Sequence, residues 1–137
     1  MIDILFPDRD VSFWDTNDGS IVARLSYGKT SIMLMGDATA ETEKIILSQY
    51  PKPALTSTIL KVGHHGSRTS TDSSWLAAVS PRTVVISAGK DNSYGHPHPE
   101  TLGRIRLQGA AILSTIDEGT ITFTSDGQAV VRKTSVF

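Results

Sequence analysis

A chain of 137 residues, 39% hydrophobic and carrying a formal charge of −1, is long enough for one core and too short for two, and it lacks the global basic field of a general nucleic-acid binder. With no cysteine, disulfides, thiol catalysis and Cys-ligated zinc are excluded, and His, Asp and Glu remain as the strong candidate ligands. No stretch approaches the ~18 apolar residues of a spanning helix, and Met1 to Asp8 has neither the basic nor the long apolar region of a signal peptide, so the chain reads as a soluble piece.

Residues 2 to 6 predict a short strand closed by Pro7, followed by a polar loop through Asp15 and Gly19. Ser20 to Tyr27 alternates, and Gly28-Lys29 turns it into Thr30 to Met35, so the two runs form a hairpin. The second run is almost wholly apolar and is expected to be buried on both faces. It ends at Gly36-Asp37. A helix follows from an N-cap at Thr39 to Gln49, with Glu41 and Glu43 in its first turn and Ile45, Ile46 and Gln49 inward. Residues 50 to 56, with two prolines, read as a connector. Thr58 to Val62 is then an interior strand that breaks into Gly63-His64-His65-Gly66-Ser67, where the glycines permit a sharp turn. Thr71 or Asp72 caps a short helix through Trp75, Leu76 and Val79. Thr83 to Ser87 is another β-branched strand running into the loop that ends at Tyr94-Gly95-His96. Pro97 or Pro99 opens a helix with Leu102, Ile105 and Leu107 inward, stopped by Gly109. Ala111 to Ser114, Thr120 to Thr124 and Ala129 to Arg132 are strands, the last two joined at Asp126-Gly127. Interleaved strands and helices of this kind imply an α/β protein with a mixed sheet.

Three polar clusters, Gly36-Asp37, Gly63 to Gly66 and Gly95 to Pro99, each lie just past a strand, where open α/β sheets gather their sites. One shared site is therefore expected. Asp37 has two readings, a cap on the helix that follows or a rigid carboxylate able to bridge two metal ions. Adjacent residues point in different directions, so one of His64 and His65 can ligate while the other supports it or meets substrate. His96 and His98 are acid/base or substrate-contacting candidates, or merely polar residues of a Pro-rich turn. Lys61 and Arg68 are candidate substrate contacts or solvated charges. Ser67 raises a serine-nucleophile reading that lacks a Gly-x-Ser-x-Gly elbow.

Ser20 to Leu25, Met35-Gly36-Asp37-Ala38 with Glu43, Leu60 to Ser67 with Thr69-Ser70, and Asn92 to Pro99 together resemble the C-terminal part of the metallo-β-lactamase-like domain of the ComEC family of competence proteins. The resemblance covers roughly residues 12 to 127. It implies an αββα fold, of which residues 1–137 form a single partial domain, the C-terminal half. It further implies a metal-dependent nuclease acting on DNA during uptake, with two Zn or Mn ions in the full domain. By position, Asp37 resembles the metal-bridging aspartate and His64 or His65 the last metal-ligating histidine, with His64 preferred because it lies directly off the strand. Asp37, His64, His65 and His96 are the catalytic candidates, and Lys61, Ser67, Arg68, Tyr94 and His98 the substrate contacts.

The family's His-x-His-x-Asp cluster is missing, since the sole His-x-His, His96-x-His98, falls in the wrong part of the order. The isolated chain is therefore expected to bind metal weakly and to be inactive by itself. Its partners are expected to be DNA, the N-terminal half of the same domain and a membrane channel region in a bacterial parent, with a homodimer of the isolated piece also plausible. The other reading is a DNA-binding or structural module that uses Lys61, Arg68, Lys90 and Arg104 to hold a DNA backbone without cutting it.

Overall fold

Alternating and apolar runs assemble in the computed structural model, which describes residues 1–133, into a six-stranded sheet ordered along the chain. β1 (Ile2–Phe6) and β2 (Val22–Tyr27) are antiparallel, and so are β2 and β3 (Thr30–Leu34). From β3 onward the sheet is parallel, through β4 (Ile59–Lys61), β5 (Thr83–Ile86) and β6 (Ala111–Ser114). β7 (Thr122–Ser125) and β8 (Val130–Lys133) form a separate antiparallel hairpin. The mixed α/β sheet inferred from the element order is present.

The parallel crossovers are helical: α1 (Ala40–Gln49) with α2 (Lys52–Leu55) joins β3 to β4, α3 (Ser73–Val79) joins β4 to β5, and α4 (Pro99–Gln108) joins β5 to β6. Caps fix their starts as the sequence implies. The Thr39 hydroxyl accepts from Glu41 N at 3.3 Å and Asp72 accepts from Ser74 N at 2.9 Å, contacts that each stabilise a helix by about 1 kcal/mol. Two short helices were not expected: α2, in the Pro-rich connector, buries Leu55, and α5 (Thr115–Glu118) is capped by Ser114.

Paired residues project to one face of a sheet, so the register sorts side chains into two sets. Met33, Leu60, Val84 and Ile86 face the helices and pack with Ile46, Trp75, Val79 and Ile105 in one core. The opposite face carries Ile4, Leu25, Leu34, Val85 and Leu113, none of which belongs to the core formed with the helices among the described residues. There Ile4 is 56% exposed and Leu34 40% exposed. The expectation that β3 is buried on both faces is thus corrected: only its helix side is fully covered. The β7–β8 hairpin lies against one end of the bare face, where Ser125 and Val130 approach Tyr27 and Ile32 and the Thr30 and Ser125 hydroxyls meet at 2.7 Å.

Two inward stripes also differ from the pattern. In α4 it is Thr101 and Ile105 that are fully buried while Leu107 is 91% exposed. In α1 the fully buried positions are Thr42, Glu43 and Ile46, and Gln49 instead reaches out to Asp8. Glu43 turns inward because its oxygens accept from Thr71 N at 2.6 Å and Asp72 N at 2.9 Å, which ties α1 to the loop before α3.

Burial outweighs those two donors and lifts the Glu43 carboxyl from 4.5 to about 7. A group bound more tightly to its proton in the folded state stabilises the fold below its unfolded pKa and loses that contribution as pH rises through the folded one. Stability should therefore fall between pH ~4.5 and ~7 by on the order of 3 kcal/mol, at about 1.4 kcal/mol per unit. Urea midpoints at pH 5 and 8 check this. Glu43→Gln should lose most of the difference, and an equal pH dependence in that variant would contradict the assignment.

Candidate functional site

Because β3, β4 and β5 are parallel, the segments leaving them emerge on one side of the sheet. Gly36-Asp37 follows β3, the turn Gly63–Gly66 follows β4, and the loop from Ser87 to His96 follows β5. Gly36 adopts φ +55 and packs against Ser20 and the Ile21 carbonyl, while Ser20 Oγ accepts from Asp37 N at 3.2 Å. That contact explains why β2 begins at Val22 rather than at Ser20.

The histidine turn is tighter than its glycines alone suggest. His64 and His65 both take left-handed backbone angles, φ +46 and +56, followed by Gly66 at +83. Two successive non-glycine residues in that region are strained, and such strain persists only where the surroundings impose it. Here they do. His64 N donates to Gly36 O at 3.2 Å, Ser67 N to His64 O at 2.9 Å, His98 N to Gly66 O at 3.0 Å and Ser70 Oγ to Gly63 O at 2.8 Å.

The result gathers all four histidines of the chain. Ring centres lie 5.4 Å apart for His64 and His96, 6.4 Å for His64 and His65, 6.3 Å for His65 and His96, and 4.8 Å for His96 and His98. Asp37 joins them, its Oδ1 lying 3.4 Å from His65 Nε2. The other nitrogen of that ring, Nδ1, lies 2.7 Å from Ser87 O. A carbonyl can only accept, so Nδ1 carries the proton and Nε2 is presented to Asp37. It is thus His65, not His64, that touches the aspartate. His64 Nδ1 is buried and has no partner among the described residues.

His98 Nδ1 accepts from Arg68 N at 3.0 Å, which leaves its Nε2 as the donor. Burial and the neighbouring His98, His64 and His65 hold His96 below its ordinary 6.5, with Asp37 opposing. His96 accordingly gives up its proton more readily than a free imidazole. Tyr94, 76% exposed, stacks on it at 5.7 Å.

The remaining candidates divide. Lys61 donates to Gly36 O at 3.3 Å beside Asp37, and burial lowers its pKa while Asp37 pulls the other way. Arg68 is exposed at the rim, 3.8 Å from Glu100. Ser67 is 5% exposed with its hydroxyl on Thr69, so it shapes the turn rather than facing solvent. Arg104 donates to the carbonyls of Arg68, Ser70 and Thr71 and to the Thr101 hydroxyl, so its guanidinium is committed within the fold.

Sequence reasoning missed what holds the site. Glu43 and Arg104 clamp residues 68 to 72 from two helices, and neither lies in a local pattern that predicts it. Asn92 pins the third loop, accepting from His96 N at 2.9 Å and donating to His96 O at 2.7 Å. An asparagine four residues before a histidine in a Gly-flanked loop is the one signal that was available for it.

Among the described residues no three His, Asp or Glu side chains are disposed to hold an ion. Asp37 touches His65 and His64 Nδ1 has no partner among the described residues, but the residues present do not by themselves fit a metal. Chemically, the arrangement supplies one carboxylate, the imidazole of His96 and two further imidazoles, His65 and His98, with assigned tautomers.

No family model matches the chain. Individual relatives do. It is 36% identical over 107 residues to ComE operon protein 3 of Bacillus subtilis, 36% over 109 residues to competence protein ComA of Neisseria gonorrhoeae, and 36% over 118 residues to recombination protein 2 of Haemophilus influenzae. These alignments cover 78%, 80% and 86% of the chain and only 14%, 16% and 14% of the relatives. The chain therefore spans about one seventh of the length of the curated proteins it matches.

Proposed function

Over the four fifths of its length that align, this chain belongs to the ComEC family of competence proteins, and from that premise we propose that it forms part of a DNA-uptake protein and contributes half of a phosphodiester-cleaving centre. The observation that carries the proposal is the convergence of Asp37 with His64, His65 and His96 beyond three parallel strand ends. Relatives named for competence supply the biological setting. The chemistry is argued from the site.

A phosphodiester is cleaved when a positioned nucleophile attacks phosphorus and the leaving oxygen receives a proton. His96, whose proton is held less tightly than in a free imidazole, can accept a proton or hydrogen-bond to water. His98 Nε2–H and Lys61 can meet the phosphate oxygens, and Tyr94, stacked on His96, presents a ring to a base. Asp37 supplies the negative charge of the site, while the Ser87 carbonyl orients the His65 ring through Nδ1–H. The resemblance implies Zn or Mn at this centre, and since three ligands do not converge here, the remaining ones belong to another part of the parent protein. Cleavage of linear DNA by the full-length protein, with and without a chelator, tests the proposal. No chelator-sensitive cleavage, with DNA still bound, would leave the non-catalytic module, whose solvent-facing candidates are Arg68 and Lys90.

The bare sheet face supports the same incompleteness. Contiguous exposed apolar surface marks an interaction site, and we propose that the N-terminal half of the domain covers Leu25, Leu34 and Val85 in the parent. Among the described residues no helix is long and apolar enough to cross a membrane, so the membrane channel region expected of the parent would also lie outside them. Alone, the chain should associate with itself through this face. Sedimentation velocity should show dimers or larger species for the wild type and a monomer for Leu34→Glu, because position 34 is already half open to solvent. A wild-type chain that stays monomeric at high concentration would count against the interface.

A further inference from the structure

A cleft of about 640 Å³ opens at the end of the sheet opposite the histidines. It is walled by the beginnings of β3 and β5, by the Thr56 to Thr58 segment entering β4, and by the turn of the β7–β8 hairpin. Strands of about five residues separate it from the Asp37 cluster by about 15 Å. Three cations line it, Arg24, Lys29 and Arg82, and no Asp or Glu does. That imbalance stands out in a chain whose formal charge is −1.

The cations are presented rather than spent. Arg24 is fixed by Nε and Nη2 donating to Thr56 O at 3.2 and 3.0 Å, which leaves Nη1 without a partner among the described residues. Lys29 and Arg82 are exposed, and neither is among the ion pairs of the described residues. Ser80, Thr58 and Thr83, each with a hydroxyl, also line the cleft. Among the described residues that line it there is no aromatic ring to stack a base. What the cleft offers is charge and hydrogen-bond donors, the chemistry of phosphate recognition.

We propose that this cleft holds the phosphodiester backbone of single-stranded DNA, as a second, sequence-independent contact remote from the Asp37 cluster. Its concavity favours one strand, since a duplex carries its phosphates on a broad cylinder that cannot enter. Its volume falls within the ~300–1,000 Å³ that encloses a ligand. The choice of DNA among phosphate polymers rests on the DNA-uptake reading, whereas the cleft and its charge do not. Two contacts on one strand at opposite ends of the sheet would keep DNA bound between encounters with the histidines.

Fluorescence anisotropy of a labelled thymidylate 12-mer, in EDTA, tests this without involving cleavage. Lys29→Glu combined with Arg82→Glu should weaken binding at least tenfold. It should also reduce the slope of log K against log salt by about 1.4, at about 0.7 per single-strand phosphate. Lys44→Glu combined with Arg106→Glu makes the same charge change on exposed faces of α1 and α4 and should bind nearly as the wild type does. Circular dichroism confirms that both variants fold. Absence of wild-type binding, equal weakening in the two double variants, or no weakening in the first overturns the proposal. Thymidine monophosphate competing as well as an unlabelled 12-mer, mole for mole, would show a site for one phosphate group and would overturn the strand. Because the readout is binding without metal, an inactive Asp37 centre leaves this result unchanged.

Discussion

Asp37→Asn in the full-length protein should abolish DNA cleavage while leaving the fold intact. The carboxylate lies 3.4 Å from His65 Nε2 and close to Lys61, so it is the one negative charge among three imidazoles and an ammonium. Asparagine has nearly the same shape but supplies neither the charge nor a proton acceptor of carboxylate strength. The loss should reach or exceed the 10²- to 10⁴-fold typical of removing a positioned acid/base group. Folding should be spared, because Asp37 is half exposed and the contact that locks its loop, Ser20 Oγ accepting from the residue 37 main-chain N–H, does not use the side chain. Rates and thermal melts measured on the same preparation decide the matter. Near-wild-type cleavage by a folded Asp37→Asn protein would remove the hydrolytic proposal.

Gly63→Ala should both destabilise the fold and part the two loops of the site. A Cβ at residue 63 would sit 2.4 Å from the Ala38 carbonyl oxygen and 3.4 Å from Ser70 Cβ, and the nearer atom is backbone, which cannot rotate away. Either the Asp37-Ala38 turn or the histidine turn must move by most of an ångström. Overpacking a well-filled interior costs about 1–3 kcal/mol and sometimes more, and with backbone on both sides the upper end is expected. The same displacement parts Asp37 from His65, so activity in the full-length protein should fall further than the stability loss explains. Urea denaturation of the isolated chain measures the first effect. A destabilisation under about 0.5 kcal/mol would mean that the two loops are not locked together as described.

The strands, the caps at Thr39 and Asp72, and the gathering of Asp37, His64, His65 and His96 were legible in the residues, because each follows from local chemistry. Period-two runs, hydroxyl and carboxylate caps and polar clusters just past apolar strands need no knowledge of distant contacts. Parallel neighbours then make the clusters meet. What local patterns do not carry was decided by packing between distant segments. Amphipathicity assigns Leu107 and Gln49 inward and Glu43 outward, yet Thr101 and Glu43 occupy the interior, since residues 67 to 72 have main-chain groups that only a carboxylate and a guanidinium from the facing helices can satisfy. The left-handed turn falls on His64 and His65, and not on the glycines alone, because Gly36 O, His98 N and Ser70 Oγ fix the backbone from outside the turn. Likewise β3 reads as buried on both faces, but a run of apolar residues is blind to whether a second layer is present, and only the tertiary structure shows that Leu34 meets solvent. The sequence by itself determined which polar residues stand just past the strand ends and where the chain turns. The tertiary structure decided that His65 faces Asp37, that Glu43 and Arg104 hold the loop beneath them, and that one face of the sheet is left open, each through contacts between residues too far apart in the chain for any local pattern to record.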